Sequence, residues 1–115
     1  MSDEGSKAEE RAVSGKRDEP ISQFDGPVVR EVCIRNRLGL HARASAQFVR
    51  IAERYRAEVT VELAGQRVNA KSIMGLLMLA ACQGTTLTLR ATGQDSEAVV
   101  EALADLIARR FDEPE

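Results

Sequence analysis

The 115-residue chain holds a single histidine, His41, in the run Gly39-Leu40-His41-Ala42-Arg43-Ala44-Ser45, where an extended stretch turns into an amphipathic helix. A helix N-terminus carries up to about four backbone N–H groups without intrahelical partners and about half a positive charge, so an anion attached there is held without extra machinery. His41 falls at or beside the N-cap of that helix. A neutral imidazole, with an unperturbed pKa of about 6.5, is a competent nucleophile near neutral pH. Arg43, two residues on, adds a planar cation suited to phosphate oxygens. These residue types and this spacing suit phosphate chemistry, and they equally suit a histidine that only caps or fills a helix end. No metal and no other cofactor is expected: there is no second histidine, and Cys33 and Cys82 are not spaced as a ligand pair.

The rest of the chain bounds what can surround this histidine. Residues 1–26 are mostly Ser, Gly, Glu, Asp, Lys and Arg, with almost no large apolar side chains before Ile21 and Phe24. Such a stretch buries too little surface to offset its ordering entropy, so it is expected to be a disordered tail ahead of one small domain over 27–115. It lacks the apolar core of a secretory signal, and no apolar run approaches the length of a bilayer span, so a soluble, cytoplasmic protein without membrane insertion is expected. The formal net charge of −2 gives no field for nucleic acid, and four aromatic rings are too few for a base-stacking platform. The cysteines are compatible with reduced thiols and read as structural or incidental.

Hydrophobic periodicity supplies the elements that must position His41. A strand alternates from Val28 to about Asn36, with Val32 and Ile34 inward. A first helix follows from Ala42, with Ala44, Phe48, Ile51, Ala52 and Tyr55 on its apolar stripe. Ala57 to Leu63 alternates strictly, and Ala64-Gly65 makes a tight turn into a partner strand around Gln66 to Asn69. Ser72 caps a second helix expected to reach Ala81 and to end at Gln83-Gly84. A strand over Thr85 to Thr92 and a third helix from Ser96 to Arg109 complete the order β-α-β-β-α-β-α. Each strand has one apolar face. The spacing therefore predicts an α+β, two-layer open-faced sandwich, a four-stranded mainly antiparallel sheet with three helices on one face and no deep cleft.

The second helix, Ile73-Met74-Gly75-Leu76-Leu77-Met78-Leu79, is apolar around its whole circumference. Covering a sheet needs a stripe of only about 100°. With Leu76 and Leu79 inward and Ile73 or Ala80 at their edge, Met74, Leu77 and Met78 are left at the surface as a docking patch. A helix covered by the tail or by a second copy satisfies the same pattern.

Two separated motifs, Gly39-Leu40-His41-Ala42-Arg43 and Asn69-Ala70-Lys71-Ser72-Ile73-Met74-Gly75, together with the order of elements over roughly 27–111, resemble the histidine-containing phosphocarrier (HPr) family of the bacterial phosphotransferase system. The resemblance implies a phosphoryl carrier rather than an enzyme. It implies that Nδ1 of His41 takes a phosphoryl group from enzyme I, itself charged from phosphoenolpyruvate, and hands it to an enzyme IIA protein, with Arg43 positioning the group. It marks Ser72 as a site for a dedicated kinase and phosphorylase, while the excess of apolar surface on the second helix makes Ile73, Met74, Leu77 and Met78 the expected partner-binding residues. The chain is expected to be a monomer. Ala44 and Ser45 stand where a Pro-Ala pair is usual, which leaves one more N–H free in the first turn, and Leu38 replaces a small polar residue. Asn36-Arg37-Leu38-Gly39 and the closing Arg110-Phe111-Asp112-Glu113 look more like the nitrogen-related branch, whereas Lys71-Ser72-Ile73-Met74-Gly75 looks like kinase-regulated members. The competing expectations are a regulatory binding protein whose phosphorylation state controls docking without carrying flux, and an adaptor whose histidine is an ordinary cap.

Overall fold

The structure is a computed structural model and describes residues 26–115. The segment 1–26 read as a tail lies, except for Gly26, outside the described residues. The alternating stretches form β1 (Val28–Cys33), β2 (Ala57–Leu63), β3 (Gln66–Asn69) and β4 (Thr86–Gly93), and the helical ones form α1 (Ala42–Ala52), α2 (Ile73–Leu79) and α3 (Ser96–Ala108). The strands make one sheet in the order β1-β4-β2-β3. Every neighbouring pair is antiparallel, with Val32 opposite Leu87, Val61 opposite Leu89, and Thr60 opposite Asn69. Ala64 and Gly65 both take positive φ, 52° and 82°, as a two-residue hairpin whose twist matches its strands requires.

One face of this sheet is apolar, and all three helices cover it. Val59, Val61, Leu87, Leu89 and Ala91 meet Phe48 of α1, Leu76 of α2 and Val99, Leu103 and Leu106 of α3 in a single buried core. The intervening residues Glu58, Thr60, Glu62, Thr86, Thr88 and Arg90 alternate onto the other face and reach solvent in whole or part. The architecture is the expected open-faced sandwich.

Four details depart from the periodicity. The first helix stops at Ala52, and Tyr55 lies beyond it, half-buried against the core. The second helix stops at Leu79, because Ala80 enters the left-handed region at φ 53° and the Ala81 carbonyl then accepts the Leu40 N–H at 2.9 Å. A tertiary contact, not the Gln83-Gly84 pair, sets that end. Leu77 is half-buried, while Ile73, Met74 and Met78 are 41%, 67% and 65% exposed, so Leu77 contributes less to the free surface than its position on the helix predicts and Ile73 more. Finally, the chain after α3 is ordered into a turn. Arg110, Phe111 and Asp112 have φ of 59°, 55° and 61°, a left-handed run that costs about 1 kcal/mol or more per non-glycine residue. Burial of the Phe111 ring, which has no exposed surface, offsets that cost.

Candidate functional site

His41 is the N-cap of α1, with extended backbone at φ −76° and ψ −179°. The first intrahelical bond runs from the Ser45 N–H to the His41 carbonyl at 2.8 Å, which leaves the N–H groups of residues 42–44 ahead of the helical ladder. The approach to His41 is fixed by packing. Gly39 has φ 68°, and any Cβ there would strike the Ala81 carbonyl oxygen. Leu40 is buried, and Ser45 donates its hydroxyl to the Leu40 carbonyl at 3.2 Å.

The imidazole has a partner from the far end of the chain. Nε2 of His41 lies 2.6 Å from Oε2 of Glu113. The other oxygen of Glu113 accepts from Nδ2 of Asn36 at 3.0 Å, and the same amide nitrogen donates to the Gly39 carbonyl at 2.9 Å. Two acceptors at one end of the Asn36 amide fix its orientation. Asn36 is fully buried, the Glu113 side chain is only 6% exposed, and that of His41 is 27% exposed. Burial pushes the Glu113 carboxyl pKa up, but the hydrogen bonds from Asn36 and His41 and the electrostatic pull of the His41 ring and the Arg43 guanidinium outweigh it, and the net shift is downward. Glu113 is thus an anion at neutral pH.

Arg43, in the first turn of α1, is exposed and lines a shallow cavity of about 270 Å³ with Arg37, Leu38, Glu113, Pro114 and Glu115. Arg37 holds the last residue twice, through its N–H to the Glu115 carbonyl at 3.0 Å and through an ion pair with the Glu115 side chain. Ser72 caps α2, its hydroxyl accepting the Gly75 N–H at 3.0 Å, and α2 packs beside α1. The structure therefore brings His41 and Arg43 to one helix start and places Ser72, Ile73, Met74 and Met78 on the adjacent helix. Asn36 and Glu113 were not singled out from sequence as site residues. Their contact spans 77 positions, and the one available signal was Phe111, an aromatic residue just past a helix end that could anchor a returning chain.

A free-edged imidazole at a helix N-terminus, flanked by an arginine, is an arrangement for handling an anion. Residues 28–109 match the family described as PTS-HPr, the PTS HPr component phosphorylation site. The chain belongs to the HPr family of phosphocarrier proteins. It is 43% identical to the phosphocarrier protein HPr of Xylella fastidiosa over 83 residues, 72% of this chain and 93% of that protein. It is also 42% identical to the phosphocarrier protein NPr of Shewanella violacea over 84 residues, 73% of this chain and 92% of that one. The crystal structure of HPr from Thermoanaerobacter tengcongensis superposes with a TM-score of 0.74 at 41% identity, covering 76% of this chain and 99% of that one. A phosphocarrier role in the phosphotransferase system follows for this HPr-family chain. Among the described residues no helix is long and apolar enough to cross a membrane.

Proposed function

We propose that His41 is the phosphoryl acceptor, taking the group on Nδ1 from enzyme I and passing it to an enzyme IIA protein. The observation that carries this is the 2.6 Å contact between Nε2 and Glu113, which engages one ring nitrogen and leaves Nδ1 for the phosphorus. Exchange between two histidines asks the carrier for in-line positioning and charge stabilisation rather than covalent machinery. The unpartnered N–H groups at the start of α1 and the Arg43 guanidinium supply that charge. The protein serves as a carrier and not as an enzyme in its own right, and it works as a cytoplasmic monomer that meets its partners transiently through Ile73, Met74 and Met78, with half-buried Leu77 at the margin.

Ser72 fits the role of a regulatory site for an HPr kinase/phosphorylase. A phosphate there would sit at the start of α2, where the helix dipole tolerates its charge of about −1.5 to −2, so the helix survives and the effect falls on docking. The test of the main reading is incubation with phosphoenolpyruvate and enzyme I. An acid-labile, base-stable phosphate is expected on the peptide that contains His41, and none on His41→Ala. Undiminished acid-labile label on His41→Ala would contradict it.

A further inference from the structure

Glu113 is held in place from several directions. Phe111 anchors the left-handed turn in the core, Asn36 grips Oε1, and Arg37 fixes the following residues through Glu115. This construction presents Oε2 to Nε2 of His41 at 2.6 Å. A carboxylate only accepts hydrogen bonds, so the ring nitrogen facing it must carry the proton, and the lone pair is then on Nδ1.

We infer that Glu113 is a positioning residue of the phosphoryl relay, acting through His41: it keeps a proton on Nε2 so that Nδ1 is the nucleophile on arrival and a good leaving group on departure. This rests on the phosphocarrier role proposed above. On arrival, the Nδ1 lone pair forms the N–P bond while the donor histidine's P–N bond breaks and its electron pair returns to the donor ring. The Nε2 proton stays where it is, and the ring becomes a phosphoimidazolium whose positive charge faces the Glu113 carboxylate. On departure, the P–Nδ1 pair returns to His41, which leaves as neutral imidazole. Had Nε2 lost its proton, the leaving group would be the far more basic imidazolate. One carboxylate thus serves both half-reactions, in the way that the buried aspartate of a catalytic triad fixes the tautomer of its histidine.

The other charged groups about Glu113 are Arg43 from α1, Arg37 and Glu115 across the shallow cavity, and Arg35, Arg109 and Arg110 on its other side. All of them are retained in a Glu113→Gln variant, so a change there reports on the carboxylate. Glutamine is isosteric, keeps an oxygen for Asn36, and turns an N–H donor toward Nε2. The hydrogen-bond pattern is inverted without removing the fold's contacts.

The test uses the full chain and begins without partners. Nitrogen-15 NMR of unphosphorylated protein should find the His41 proton on Nε2 in the parent and shifted toward Nδ1 in Glu113→Gln. Phosphorylation by enzyme I should then slow about tenfold or more, and the alkaline limb of onward transfer should move about one pH unit lower, the scale of one charge-assisted hydrogen bond. Glu113→Asp, which keeps the charge, should recover part of both. A parent protein with the proton on Nδ1, or a Glu113→Gln variant with unchanged tautomer and unchanged rates, would overturn the inference. Failure of the parent to become phosphorylated at all would instead overturn the carrier role, and the tautomer measurement would still decide what Glu113 does to the ring.

Discussion

The His41 ring is about one quarter exposed, with the Glu113 carboxylate on Nε2 and Arg43 two residues on in the first turn of α1, and both charged side chains can be removed separately. Arg43 is exposed and water screens it, so Arg43→Ala should slow phosphorylation by enzyme I by about tenfold without abolishing it, less than the roughly 100-fold or more lost with a preorganised, water-excluded donor. Stopped-flow transfer rates would check this. Glu113 makes a pH-dependent contribution to stability with a definite sign. An ordinary glutamate titrates at 4.5 and Glu113 in the fold titrates lower, so its stabilisation is fully present above the ordinary value and disappears as pH falls through the lower one. The melting temperature of the parent should therefore exceed that of Glu113→Gln at about pH 5, and the gap should close as the pH falls below the ordinary glutamate range. A gap that widens on acidification would contradict the assignment. The placement of His41 and Arg43 at a helix start was legible because a helix start is a local pattern. Asn36 and Glu113 were not, because a hydrogen bond across 77 positions leaves no periodicity in the chain.

At the scale of elements, strand alternation in Ala57 to Leu63 and Thr86 to Thr92 and the helical stripe of Val99, Leu103, Leu106 and Ile107 were enough to fix the sandwich, since each has one face to bury. The end of α2 was not readable. It depends on the Gly39 and Leu40 backbone meeting Ala81, a contact that exists only in the assembled fold. The same helix shows which apolar residues serve the core and which face outward. Leu76→Ala should destabilise the protein by about 2–5 kcal/mol, as for any fully buried leucine. Met74→Glu or Met78→Glu should change stability by no more than about 0.5 kcal/mol while weakening binding to enzyme I, measurable by calorimetry. A large loss of stability in either glutamate variant would place that methionine in the core instead of the docking surface.

Across the whole molecule, the first and last described stretches close on one another at the site, since Asn36 and His41 precede α1 and Glu113 follows α3. The turn at Arg110 to Asp112 makes this possible, and the burial of Phe111 holds it. Phe111→Ala should cost about 3–5 kcal/mol of stability and also release Glu113 from His41, so it should slow transfer even at temperatures where the variant stays folded. The central claim, that this chain carries a phosphoryl group rather than merely receiving one, is tested most directly by a single-turnover chase. Protein phosphorylated with radiolabelled phosphate on His41 is freed of phosphoenolpyruvate and enzyme I, then mixed with an enzyme IIA protein. Label should leave His41 and appear on the enzyme IIA histidine in stoichiometric amount. Label that stays on His41 with every enzyme IIA protein of the same cell, while the phosphorylated chain still binds a partner, would contradict the account and identify the histidine as a docking signal.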